Sequence, residues 1–356
     1  MTVGKLRIGI VGAGKRVHDM YAPVLNSNND IEVSGFWNRD LAKGQKLIDA
    51  FGYTRYADLD RLARSSDALV IAVNSSALTE IALRCLDYGK PLMAETPVWT
   101  KDVVTKAEKK GIPFQIAEQT PWLPSEQFKM NVLGHSRYGK PHTVVNDFRT
   151  FEYHGLAQLR RYIGFDKVPI EVCGMSHGVP MASFKDGNGV SQHGHTENWE
   201  SGQIRFATGE VAIYNFSSLY NRCKYRSPCS LRIYTSCASI VNHDNDLNIR
   251  VALEGPDHST MLVRVNPGRF AGKTQSILGE LYKPDGPLLE THAWEAQTDH
   301  LNDQQEALKV LVDNFADHVI TQGGQRLKYD VSQGWTDFNL LMAIRSSSQT
   351  KRYISR

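Results

Sequence analysis

Near the amino terminus the stretch G-I-V-G-A-G-K-R-V sets Gly12 and Gly14 after the apolar run Leu6 to Val11, ahead of a segment that places Met20, Tyr21, Val24 and Leu25 on one helical stripe. Glycines at such a turn lack a Cβ and let backbone amides at a helix amino terminus approach a pyrophosphate. Lys15 and Arg16 share the turn, and Val17 stands where a third glycine is usual, a change that bears on helix-to-strand packing more than on phosphate contact. The end of the second apolar run reads Asn38 then Arg39, with no carboxylate at the position that usually holds the adenosine ribose hydroxyls. A guanidinium fork there suits a 2′-phosphate. The expected ligand is therefore NADP or NAD, with NADP favoured; the alternative makes Arg39 a plain surface residue and Asp40 the cap of the next helix.

These residues need a frame. Ile31 to Trp37, Ala68 to Val73, Pro91 to Ala94 and Phe114 to Ala117 are further apolar runs without polar alternation. Helical segments separate them: Leu41 to Phe51 with Gly52 as its stop, Ala77 to Asp87 with Gly89 as its cap, and Lys101 to Lys110. Strands of this kind separated by helices predict a parallel sheet covered on both faces, wound with right-handed crossovers. The rhythm breaks at the prolines of Thr120 to Pro124. Beyond them Thr143 to Phe148, Ile170 to Met175, Gln203 to Phe206, Val211 to Phe216, Leu231 to Tyr234, Ile249 to Leu253 and Met261 to Val265 read as strands joined by Gly, Pro, Asn and Asp turns, which predicts a mainly antiparallel sheet. Leu301 to Gln322 and Trp335 to Ser346 return to helical spacing. The expected division is a dinucleotide-binding domain with a parallel sheet over 1–120 and a second, mainly antiparallel domain over 121–356; a family resemblance carried by residues of both makes the first a Rossmann domain and the second an open-sheet domain for substrate binding and oligomerisation.

A chain of 356 residues has room for two cores. Its formal charge of +3 is small and the lysines and arginines are dispersed, so neither a nucleic-acid footprint nor a membrane-binding patch is expected. The run Lys106, Glu108, Lys109, Lys110 reads as a solvated helix end. Cysteines at 85, 173, 223, 229 and 237 form no CxxC pair, which argues for a reducing compartment and against a disulfide framework or a structural zinc. Glycines interrupt the first apolar run before it could serve as a signal or membrane-spanning segment, and a cytoplasmic protein is expected. His193, Gly194, His195 and Glu197 have a metal-like look, but alternate histidines without a third spaced ligand are ordinary loop residues, and no metal is expected. Trp199, Tyr225 and Arg226 could line a sugar pocket or decorate the outer sheet face.

The glycine turn, FWNRD, VIAVNSSALTEIALRCLDYGKPLMAETP, FEYHGLAQLRRYIG and TDFNLLMAIRSSSQTKRYI together resemble the Gfo/Idh/MocA family of sugar and cyclitol oxidoreductases. The resemblance implies a Rossmann domain followed by an open antiparallel sheet, with nicotinamide and substrate between them. It implies cofactor contacts at Val73 and Asn74 as well as in the glycine turn. The family's Glu-Lys-Pro appears as Glu95, Thr96, Pro97, so the lysine assigned to proton transfer is missing. Its D-x-x-x-H pattern falls on Thr150 and His154, the acid three residues on is Ala157, and Leu78 lies where another histidine is usual.

A threonine hydroxyl is too weak a base near neutral pH, so Thr96 can orient a substrate oxygen but cannot replace a lysine. His154 titrates in the right range to take a proton from a carbinol as hydride leaves, or to return it in reduction. Tyr153 is a second candidate, weakened because adjacent residues rarely face one side, and Glu95 is a third if its carboxylate points into the cleft. The expectation is an NAD(P)-dependent oxidoreductase acting on a secondary hydroxyl or ketone of a sugar-like or cyclitol-like molecule, assembled as a homodimer or homotetramer. Two alternatives stand: a redox-neutral epimerase, eliminase or glycosidase that keeps its nicotinamide bound, and a non-catalytic dinucleotide-binding sensor or partner protein.

Overall fold

The computed structural model describes residues 4–97, 100–147, 150, 152–186, 189–219, 229–243, 246–252, 260–270, 272–282, 286–352 and 354–355. Tyr225, Arg226 and Cys223 lie outside them. The chain divides into two compact units, one of residues 1–123 with 297–338, the other of residues 124–296 with 339–356.

The first unit alternates strand and helix. Its elements are β1 (Leu6–Val11), α1 (Ala22–Asn26), β2 (Ile31–Trp37), α2 (Gln45–Phe51), α3 (Leu59–Ser65), β3 (Ala68–Ile71), α4 (Ser75–Asp87), β4 (Leu92–Ala94), α5 (Lys101–Lys110) and β5 (Phe114–Ile116). The strands form one parallel sheet in the order β2-β1-β3-β4-β5. All of β3, β4 and β5 is buried, as expected of strands packed on both faces. Helix α2 stops where Gly52 turns left-handed at φ 67°. The α3 helix was not legible as a periodic segment; seven residues capped by the Asp58 side chain on the Arg61 amide are enough to hold it against the sheet. Lys106 and Lys110 are not merely solvated. Their ammonium groups reach the Leu83 and Leu86 carbonyls near the carboxyl end of α4, where the helix dipole favours a cation, and both pair with Asp87.

Sequence order assigns 297–338 to the second half, whereas the contacts place it with the first unit. Two later helices are involved, α8 (Asp303–Ile320) and the start of α9 (Val331–Thr350). The reason is partly local chemistry in the first helix. The segment Val17–Tyr21 ahead of α1 has π geometry, and Pro23 has no amide to offer the Asp19 carbonyl four residues back. The Gln305 side chain supplies the missing donor at 2.7 Å. Its other side-chain atom accepts from the Asn302 amide, closing a capping box at the start of α8. Asn28 and Asp313 add a bond of 2.8 Å, and Tyr329 accepts from the Ile116 amide, so the segment also extends the edge beside β5.

The second unit is built on one eleven-stranded sheet. Its elements are α6 (Pro124–Leu133), β6 (Pro141–Asp147), α7 (Glu152–Ile163), β7 (Pro169–Pro180), β8 (Phe184–Lys185), β9 (Ser191–Gln192), β10 (Thr196–Phe206), β11 (Val211–Ser217), β12 (Ser230–Thr235), β13 (Ala238–His243), β14 (Asp246–Ala252), β15 (Thr260–Phe270), β16 (Lys273–Tyr282), β17 (Leu288–Glu295), the rest of α9, and β18 (Ile354–Ser355). Strand order is β17-β16-β15-β14-β13-β12-β6-β11-β10-β7-β18, and among the described residues every pairing in it is antiparallel except β6 with β11. Phe128 and Val132 of α6, Leu156 and Leu159 of α7, and Leu340, Leu341 and Ile344 of α9 close the core on one face. The helix α9 comes very close to the sheet: a Cβ on Gly174 would stand 2.1 Å from the Ile344 carbonyl oxygen, and one on its register partner Gly202 would meet the Ile344 side chain at 2.5 Å. Strand β15 runs through Asn266, Pro267 and Gly268, which read as a turn, because a register shift at Gly268 takes up the irregularity.

Replacing Gln305 by Ala removes both its bonds. Urea unfolding should show a loss of about 1–2 kcal/mol, the usual range for a helix cap together with a neutral hydrogen bond.

Candidate dinucleotide site and the His154 helix

In the strand order of the first unit the chain reverses direction between β1 and β3, and ligands of open parallel sheets lie outside the strands' carboxyl ends at such a point. A cleft of about 200 Å³ is there, lined by Gly12, Ala13 and Gly14 after β1, Trp37 to Asp40 and Lys43 after β2, and Ala72, Val73, Asn74 and Ser76 after β3. The two glycines serve different ends. Gly12 has φ 124°, and a Cβ on it would fall 2.3 Å from the Ala72 carbonyl oxygen, so the fold itself requires glycine. A Cβ on Gly14 would meet nothing within 4 Å. Its bareness matters only toward whatever enters the cleft, as a pyrophosphate on backbone amides demands. Thirteen-residue α4 begins just after Asn74, so the positive end of a helix dipole adds to the cleft.

The structure thus gathers Gly12, Gly14, Asn38, Arg39, Val73 and Asn74 around one cleft. Lys43 joins them, a residue the sequence reading missed; only the turn that carries Asp40 back toward it, 3.5 Å from carboxylate to ammonium, could have pointed to it. Asn38 donates to the Asp40 carbonyl at 2.7 Å, which fixes the bend that presents exposed Arg39. Lys15, Arg16, Val17 and Glu95 do not line this cleft. Lys15 pairs with Asp19 along the helix, and Val17 is wholly buried, in line with a packing role.

Arg16 and Glu95 instead form a second cluster of the same unit. The guanidinium donates to Glu95 Oε1 at 2.6 Å and to Gln119 Oε1 at 2.7 Å. Burial alone would lower the Arg16 pKa, but the charge and hydrogen bond of Glu95 outweigh it and hold the group above its usual value. Burial, reinforced by the same carboxylate, raises the pKa of Tyr21 well above its ordinary value, so that this phenol stays protonated. The Glu95 carboxylate is thus engaged by Arg16. Thr96 follows it, half-buried, in the turn after β4.

His154 and Tyr153 lie in the first turn of α7, both half-buried. Their rings touch, with centroids 4.2 Å apart and a 43° tilt, although neighbours on a helix were expected to point apart. The preceding residue explains the unusual start. Glu152 has φ 45°, a left-handed conformation costly for a non-glycine residue. Its carboxylate is tied to Arg345 at 3.1 Å, and Arg345 is held by Glu200 at 2.6 Å, so α9 and β10 brace the helix entry. Of the histidines with a metal-like look, His193 bonds Ser183 and His195 bonds Gln192, while buried Glu197 accepts from Ser217; they do not gather as ligands. Among the described residues Cys85, Cys173 and Cys237 are free thiols. Among the described residues no helix is long and apolar enough to cross a membrane.

Comparison with known proteins fits this geometry. A family model described as an oxidoreductase family with an NAD-binding Rossmann fold, GFO_IDH_MocA, matches residues 6–117. A protein of Amycolatopsis mediterranei (strain S699), provisionally named a UDP-kanosamine synthase oxidoreductase subunit, is 32% identical over 111 residues, which is 30% of this chain and 31% of that one. The chain therefore spans about a third of that relative's length in the match. Solved structures are similar over nearly the whole chain. An oxidoreductase from Agrobacterium radiobacter, crystallised with NAD+, L-tartaric acid and magnesium, has a TM-score of 0.71 at 16% identity, covering 99% of this chain and 98% of that one. A UDP-N-acetylglucosamine 3-dehydrogenase from Acidithiobacillus ferrooxidans has a TM-score of 0.64 at 14% identity, covering 98% and 99%. At such identities the likeness is one of fold.

The two glycines should separate in experiment. Gly12→Ala should lower the melting temperature, whereas Gly14→Ala should melt like the parent yet bind dinucleotide at least roughly tenfold more weakly, read by fluorescence titration.

Proposed function

We propose that this protein, whose residues 6–117 match the model of the Gfo/Idh/MocA oxidoreductase family with its NAD-binding Rossmann fold, is an NAD(P)-dependent oxidoreductase acting on a secondary hydroxyl, or its ketone, of a sugar-like small molecule. The observation that carries the reading is the cleft at the sheet's reversal point, where Gly14 is bare toward the cleft and toward nothing else. A bound nicotinamide supplies or accepts the hydride; the chain supplies binding, orientation and proton transfer.

Gly12 to Gly14 offer backbone amides to the pyrophosphate, and Val73 and Asn74 line the cleft wall beside them. Arg39 and Lys43, without a carboxylate at Asn38, favour a 2′-phosphate, so NADP is the preferred dinucleotide. His154 serves as general acid/base: its imidazole takes the hydroxyl proton in oxidation and returns it in reduction. The Glu152, Arg345 and Glu200 bridge holds the helix start that carries it. Thr96 can hydrogen-bond a substrate oxygen, and Glu95, held by Arg16, keeps that turn in place. The UDP-sugar names among the similar proteins support a sugar-like substrate.

Purified protein given NADPH and a panel of keto-sugars should consume the reduced cofactor. Arg39→Ala should weaken NADPH binding by about tenfold or more while changing NADH binding little; equal losses for both would remove the 2′-phosphate assignment. His154→Ala should bind cofactor normally and lower turnover by roughly 10²–10⁴-fold, the usual worth of a general acid/base, and an unchanged rate would remove that role.

A further inference from the structure

Away from the residues assigned above, the second unit brings together three side chains from distant parts of the chain: His135 just after α6, and Glu290 and His292 on β17. One ring nitrogen of each histidine and one carboxylate oxygen lie within 4.8 Å of one another. His135 Nδ1 is 2.7 Å from Glu290 Oε1, and His292 Nε2 is 3.8 Å from that same oxygen. Ligands of a tetrahedral zinc at about 2.0–2.1 Å from the metal stand about 3.3 Å apart, so these separations straddle the required spacing. Glu290 and His292 are two apart on a strand, which puts both on one side of it.

The second observation is an uncompensated buried atom. His292 is 3% exposed, and its Nε2 meets the Tyr138 hydroxyl at 2.7 Å, yet its Nδ1 has no hydrogen-bond partner. A neutral imidazole carries one donor and one acceptor, so either tautomer leaves one polar atom unpaired in the interior. Glu290 Oε2, also buried, makes no hydrogen bond but lies 3.3 Å from the Arg137 guanidinium. The buried imidazole thus keeps one nitrogen unpaired while the other, Nε2, is the one beside Glu290.

We propose that His135, Glu290 and His292 form a binding site for a divalent transition metal of the zinc type. Two imidazoles and one carboxylate make a borderline-soft donor set that selects such an ion over magnesium or calcium. Half-exposed His135 gives the ion its way in. Arg137 lies 3.3 Å from the far oxygen of Glu290 and leaves the near one to the metal, and the Tyr138 hydroxyl, now bonded to His292 Nε2, would give that nitrogen up to the ion.

The test uses the full chain, freed of any affinity tag and of metal, titrated with Co2+ and followed by visible absorption, then with Zn2+ by calorimetry. One equivalent should bind with the intense visible bands of tetrahedral cobalt. His135→Ala, a surface change that spares the core, should weaken binding by more than the roughly 10–100-fold typical of losing an outer-shell partner, and Glu290→Gln should do the same. Circular dichroism confirms that each variant is folded. Absence of saturable binding, or binding unaltered in His135→Ala, would overturn the assignment.

Discussion

The first unit depends on one steric constraint, the approach of the Gly12 backbone to the Ala72 carbonyl between the ends of two neighbouring parallel strands. That contact brings the turns after β1 and β3 together, so that the glycine amides, Val73 and Asn74 face a common cleft. A methyl group on Gly12 would push the two turns apart. Everything else proposed for the dinucleotide, from the bare Gly14 to the cations beyond Asn38, inherits its position from this meeting.

The helix that carries His154 depends on electrostatics instead. Glu152 is held in a conformation it would not choose, and the Arg345 bridge to Glu200 offsets that cost. Arg345 keeps its pKa above the usual value because hydrogen bonds and charges from Glu200 and Glu152 outweigh its burial. Arg16 acts comparably on Glu95 in the first unit. In both places an arginine makes a carboxylate into a fixture.

Much of this was legible in the residue order. Strands β3, β4 and β5 read as apolar runs because both their faces are buried, β1 nearly so, and the glycine stops at Gly52 and Gly89 mark helix ends. Elements whose stability comes from neighbours were not legible. Strands β13, β16 and β17 carry polar residues at many positions and gain their place from pairing, and α6 hides behind the prolines that introduce it. Lys43 escaped notice because nothing local distinguishes it from any other surface lysine, and His135 with His292 because a separation of 157 positions in sequence means nothing once a helix end meets an edge strand.

By itself, then, the sequence determined what depends on local backbone freedom and on periodic burial: a glycine turn between strand and helix, a parallel sheet followed by an antiparallel one, and an arginine where a carboxylate is usual. Only the tertiary structure decided which carboxylates are already spent on arginines, that residues 297–338 close the first unit by supplying the donor Pro23 lacks, and which histidines meet. The physical reason is that propensity and hydrophobic period act between residues a few positions apart, whereas ion pairs, orphaned carbonyls and ligand sets are settled by partners that only folding brings within 4 Å.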